Sequence, residues 1–261
     1  MKRYLKIYLI SDKAYILKNF QARLGLLLQL TGSLCFLFMH LFSYSLFLNK
    51  FKLPTWSTSE AWIFLATFEI YVYSCFHFLN RGIRYTVRDI NRGTLDIILA
   101  KPVNSRFLSF WRGGSINNLA AITTAIITLI YILFRHQILP HPINILLYII
   151  FLATNVWLLH CLSIFFVVPN FYSGNLKESE TGVFAFQEIY KYPTQTYDKA
   201  GSIMNIITIP FSLLVTIPAS IILSKSIPTN YWIIYLTILI ILSVFSNITW
   251  KKGLRNYTSA S

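Results

Sequence analysis

An all-α protein that crosses a membrane about six times is what this sequence predicts, and three observations carry the prediction. Apolar residues gather in blocks of about twenty or more, long enough to cross a hydrocarbon core of roughly 30 Å at 1.5 Å per residue. Only 12% of the 261 side chains are charged and mean hydropathy is +0.56, whereas soluble domains carry about a quarter charged residues. The basic residues sit between the blocks and crowd into alternate loops, as the positive-inside rule requires of a polytopic chain.

Taken in order, the blocks predict spans at 24–48, 60–79, 115–134, 143–168, 203–223 and 231–250, within one transmembrane domain covering 1–261. Ahead of them, "MKRYLKIYLISDKAYILKNFQAR" mixes six basic residues with Tyr, Leu, Ile and Phe, the composition of a helix lying in the membrane interface. The first block runs for 25 residues, too long for the apolar region of a secretory signal, so it is expected to stay in the mature chain. Placing the N-terminus in the cytoplasm puts 19 of the 23 Lys and Arg residues on that side, leaving Lys50, Lys52, Arg135 and Lys225 opposite. Both ends are therefore expected inside. The same distribution accounts for the formal charge of +14 without a nucleic-acid partner.

The fifth block resists a simple reading. Pro210 and Pro218 each remove a backbone donor that lipid does not replace, which predicts a proline-broken segment near 203–223: hydropathy favours a span there, and the prolines a broken or re-entrant hairpin. In the second version the chain turns outward earlier, through "NLKESETGVFAFQEIYKY" (175–192), which is too polar for lipid and acceptable only when packed in a bundle or against a second subunit.

Between the second and third blocks lies a charged insert, "YTVRDINRGTLDIILAKPVNSRF" (85–107). Arg81, Arg84, Arg88 and Arg92 form one stripe of a helix and Ile83, Val87 and Ile90 another, which predicts an amphipathic helix lying flat. Gly93 can close it in a left-handed turn, and Pro102 stops the short apolar run "LDIILA" that follows. Lipid phosphates are the usual partners of a juxtamembrane basic cluster, but anionic lipid repels Asp89 and Asp96. Leu95, Ile98 and Leu99 suit a protein cleft.

"RDINRGTLDIILAKPVNSRF" resembles the cytoplasmic segment between the second and third spans of type 2 ABC exporter permeases (the ABC-2 family), with Gly93, Thr94, Leu95, Asp96, Leu99, Pro102, Val103 and Phe107 on the family pattern. "YKYPTQTYDKAGSIMNIITIPFSLLVTIPASIIL" resembles a stretch of one branch of that family, through Pro193, Tyr197, Pro210, Pro218 and Ala219. The resemblance implies a permease subunit of an ATP-driven exporter in a cell membrane, the bacterial plasma membrane being the expected one. It implies a second permease, identical or related, and separate ATP-binding cassette subunits that hold the ATP and Mg. The insert would then be a coupling helix, with Arg84, Arg88, Arg92, Gly93, Thr94, Leu95, Asp96, Leu99 and Pro102 as its expected contact residues.

The sequence carries no G-x-x-x-x-G-K-[ST], G-x-S-x-G or H-E-x-x-H, so neither ATP hydrolysis nor another catalytic role is expected of this chain, and no cofactor. Cys35, Cys75 and Cys161 lack metal spacing, and His136 with His141 make only two ligands, so no metal site is expected. Glu69, near the middle of a span, is the weak candidate for the transport pathway together with Pro210 and Pro218; its plain alternative is a hydrogen-bonded seam residue. A stand-alone secondary transporter, a polytopic membrane enzyme, or a non-transporting immunity or sensor component are the other readings. The first two require ionisable groups around a cavity, and the sequence offers little beyond Glu69.

Overall fold

The computed structural model describes residues 2–21, 23–50, 55–173, 179–185, 187–197 and 202–258, and every described element is helical. In chain order these are α1 (Lys2–Gln21), α2 (Arg23–Lys50), α3 (Thr58–Cys75), a π-helical turn (Phe76–Asn80), α4 (Arg81–Asn91), α5 (Asp96–Leu99), α6 (Ser105–Phe110) and α7 (Ile116–Arg135). After α8 (Pro142–Val167) come α9 (Asn170–Ser173), α10 (Ser179–Ala185), α11 (Gln187–Tyr190) and a single 3-10 turn (Thr194–Thr196), then α12 (Ser202–Ile222) and α13 (Thr229–Arg255). Among the described residues five helical stretches are long and apolar enough to cross a membrane, with Thr208–Ile222 of α12 as a shorter apolar helix.

Helix starts follow local chemistry. Ser57 and Glu60 form a capping box on α3, and His141 Nδ1 accepts from Ile143 N ahead of Pro142 at the first position of α8. One boundary differs from expectation. The second span does not end at 79 with a separate flat helix; it continues through the π turn into α4 as one stretch, Thr58–Asn91, of 34 residues. Nothing between 79 and 92 breaks a helix except Gly82, and that glycine is needed for packing: a Cβ there would overlap the Phe110 carbonyl oxygen.

In lipid, helices gain little from hydrophobic exclusion and associate through close packing and buried hydrogen bonds. Ala121 and Ala125, one turn apart on α7, are buried in a cluster with Ile63, Ala66 and Ile70 of α3, the small-residue spacing that lets two backbones approach. A second cluster joins α3, α8 and α12 through Phe64, Phe68, Leu158, Leu162, Leu214 and Ile217.

The proline expectation is also corrected. Both Pro210 and Pro218 lie inside an unbroken α12, buried from Ser212 to Ser220, so there is no hairpin at 203–223. Pro218 leaves the Leu214 carbonyl without its helical donor, and Asn155 Nδ2 of α8 supplies one at 2.5 Å. Asn155 Oδ1 in turn accepts from Tyr235 OH of α13 at 2.7 Å, and Tyr235 OH meets Thr154 Oγ1 at 2.9 Å. The polar segment expected at 175–192 does pack within the bundle where it is described: Val183 and Tyr190 are buried, Phe76 stacks on Phe184, and Tyr190 meets Tyr71 edge-on. Its continuation reaches Ser212 and Thr216 of α12 through Thr194, and Trp56 through Gln195.

The insert and both ends of the chain share one end of the bundle, because Arg3 Nη2 donates to the Pro102 carbonyl and Leu95 N donates to Tyr257 OH. At the opposite end Lys225 Nζ joins Glu60 at 2.9 Å and the Thr55 carbonyl at 2.8 Å.

Candidate functional site

The amphipathic stripe predicted for 81–92 is present from Arg84 onward, whereas Arg81, its expected first member, is half-buried. Ile83, Val87 and Ile90 are buried, while Arg84, Arg88 and Arg92 are exposed on the outer face of α4. Gly93 takes the left-handed conformation, φ 65°, and the helix closes with two bonds donated back to its last turn: Gly93 N to the Ile90 carbonyl at 3.1 Å and Thr94 N to the Asp89 carbonyl at 2.9 Å. The chain then reverses into α5, and α6 starts at an Asn104 cap that accepts from Phe107 N at 3.2 Å.

The insert is rigidly held from within. Thr86 Oγ1 donates to the Ser109 carbonyl at 2.8 Å, and Gly82 lets Phe110 of α6 lie against α4. Asp89, 8% exposed, pairs with Arg112 at 2.8 Å and with Arg88 at 3.6 Å. Burial pulls the Arg112 guanidinium below its ordinary pKa, while the bond to Asp89 works to hold it charged. The helix α1 braces the return segment of the insert: Ser11 Oγ donates to the Arg112 carbonyl at 3.0 Å, Asp12 accepts from Gly114 N at 2.6 Å, and Tyr4 meets Phe107 edge-on. Apolar Leu5, Leu9, Ile10 and Leu17 of α1 remain exposed, as an interfacial helix requires.

The short apolar run is phased differently from the expected contact set. Leu95 is fully buried and Ile98 nearly so, both in the core beneath the insert, whereas Ile97 is 67% and Leu99 37% exposed. Leu95 faces inward because its N–H is tied to Tyr257 at the end of α13, which sets the start of α5. Thus Arg84, Arg88, Arg92, Thr94, Leu99 and Pro102 lie on the outer surface, Gly93 and Asp96 are half-buried, and Leu95 supports them from below.

Glu69 lies elsewhere, in the middle of α3. It is 1% exposed and its Oε1 stands 3.0 Å from His40 Nδ1 of α2, so its partner is a ring of the first span. Pro218 is buried and Pro210 half-buried on α12. Sequence reasoning missed Asp12, Arg112 and Tyr257, the long-range anchors of the insert. No local pattern marks them: Asp12 and Tyr257 act across more than a hundred residues, and Arg112 reaches back over α5 and α6 to Asp89.

With this geometry in view, one comparison is informative: a family model described as "ABC-2 family transporter protein" matches residues 34–261. No curated protein and no solved structure matches the chain.

Proposed function

The chain belongs to the ABC-2 family of transporter proteins, and we propose that it is the permease subunit of an ATP-driven exporter in a cell membrane, working with a second permease and with separate ATP-binding subunits. The family is a permease component and not itself an ATPase, so the energy enters from a partner, which would carry the ATP and Mg. The insert Arg84 to Pro102 is where that partner docks. One observation carries the reading: a capped, internally braced element projects from the second span and presents three exposed arginines beside exposed Ile97 and Leu99. Because α3, the π turn and α4 are one stretch, force on the insert is delivered along the second span, past Glu69 and its His40 partner. This is a two-state element biased by a remote ligand, so the coupling is reciprocal. Glu69, Pro210 and Pro218 are assigned to the pathway side of that change. The first span exposes Phe36, Phe38 and Phe42, a face for lipid or for the second permease.

The test is co-purification of the full chain, expressed together with a candidate ATP-binding cassette subunit. ATPase activity that rides with the membrane fraction and responds to changes in the insert supports the reading. A chain that stays folded in the membrane and retains no ATPase overturns it.

A further inference from the structure

The junction of the second span and the insert holds a cationic cavity that meets the docking element only at Arg84 and Tyr85. Its volume is about 220 Å³, and Tyr15, Asn80, Arg81, Arg84, Tyr85 and Asn118 are among the residues around it. The Arg81 guanidinium lies 3.5 Å from the Tyr15 ring centre and 5.3 Å from that of Tyr85. Its Nε and Nη1 are shut off from solvent and meet no hydrogen-bond acceptor among the described residues. Asp89 is engaged with Arg112 and Arg88, and Asp12 with Gly114 N and His77.

A desolvated guanidinium with two unused donors calls for an anion, and its planar fork fits a phosphate in bidentate fashion. Depth identifies the source. Arg81 comes 21 residues after Glu60 on a continuous helix, roughly 30 Å along the axis, which is about the thickness of the hydrocarbon core. The cavity therefore lies at headgroup level, at the end of the bundle where the basic residues gather. We propose that this cavity binds the phosphate of an anionic membrane phospholipid, with Arg81 as the bidentate ligand, Arg84 as the second cation and Asn80 and Asn118 as polar contacts for the remaining headgroup. A bound headgroup bridges α1, α4 and the start of α7, and so pins the base of the insert. A free phosphate ion offers the same chemistry without the acyl chains.

The site is tested with the full chain alone, without an ATP-binding partner, so the outcome is independent of the transporter reading. The protein is purified in a zwitterionic detergent, transferred to nanodiscs of phosphatidylcholine containing a minor share of phosphatidylglycerol, and the lipids it retains are counted by native mass spectrometry. Wild-type protein is expected to retain phosphatidylglycerol over phosphatidylcholine. Arg81→Gln weakens that preference about tenfold, and Asn118→Leu, which keeps the side-chain shape but removes a polar contact and leaves both cations in place, weakens it as well. Arg135→Gln, at the opposite end, keeps it. Thermal unfolding of each variant separates lost binding from lost folding. If inorganic phosphate binds and displaces nothing because no lipid preference exists, the anion site stands and the lipid source is overturned. Equal retention by wild type, Arg81→Gln and Asn118→Leu, with no phosphate binding, overturns the site itself.

Discussion

The side-chain amide of Asn155 stands in for the backbone N–H that Pro218 lacks. The proline leaves the Leu214 carbonyl unpaired inside the bundle, and Asn155 Nδ2 of the neighbouring helix fills the gap at 2.5 Å while Tyr235 fixes the other end of the amide at 2.7 Å. Asn155→Leu strands the Leu214 carbonyl, leaves the Tyr235 hydroxyl with Thr154 alone, and should cost about 1–3 kcal/mol. In Pro218→Ala the helix recovers its own donor, so the double variant should lose clearly less than the sum of the singles. Thermal or denaturant unfolding in detergent checks this cycle, and strict additivity would show that the two residues are energetically unconnected.

Gly93 carries the turn that ends the arginine helix, at φ 65°. Gly93→Ala should destabilise the insert by about 1–2 kcal/mol, the cost of a left-handed side chain, while Gly82→Val, driven into the Phe110 carbonyl, should cost more and separate α4 from α6. Limited proteolysis between 92 and 105 is expected to quicken in both, with the spans still protected.

Tyr257→Phe removes one hydroxyl, the one that accepts from Leu95 N at 3.0 Å. A loss of about 1 kcal/mol is expected, read as roughly fivefold faster amide exchange in 93–99. Unchanged exchange would mean that Leu95 is held by its apolar burial alone.

Spans were legible in the sequence because hydropathy integrates over twenty residues, and the observed helices Ile116–Arg135 and Pro142–Val167 fall within a residue or two of the predicted blocks. The arginine stripe and the stop at Gly93 were legible for a related reason: each is a local periodicity or a backbone preference. The phase of "LDIILA" was not, since four residues of apolar run fit a helix at any rotation, and a tyrosine 162 positions away decides it. Continuity of the second span was hidden because a π turn at Phe76–Asn80 shifts hydrogen bonds without changing composition. Pro218 reads as a break because the compensating Asn155 lies on another helix.

Exposed arginines of the insert give the sharpest test of coupling. Arg88→Glu combined with Arg92→Glu should weaken capture of the ATP-binding partner by tenfold or more, about 1.4 kcal/mol, at unchanged membrane insertion. Ile97→Asp with Leu99→Asp should do the same, since these two are the exposed apolar residues of α5. Partner capture and ATPase stimulation are the measurements, and full retention in both pairs would remove the insert from the interface.

Glu69→Gln keeps a side chain of the same shape facing His40, 3.0 Å away, and should leave unfolding within about 1 kcal/mol of wild type. Glu69→Leu leaves the imidazole unpaired and should cost about 1–3 kcal/mol. If the carboxylate serves the pathway, the Gln variant loses export while remaining folded; normal export by that variant would confine Glu69 to the seam between α2 and α3.

Arg3 and Tyr257 each touch the insert, one at the Pro102 carbonyl and the other at the Leu95 amide. An affinity handle or fluorescent reporter appended near either of them therefore crowds the ground that an incoming subunit must occupy, and would depress capture for reasons unrelated to affinity. The far loop, where Leu139 is 87% exposed, is the better place for an epitope, because labels there leave the opposite pole of the bundle unobstructed.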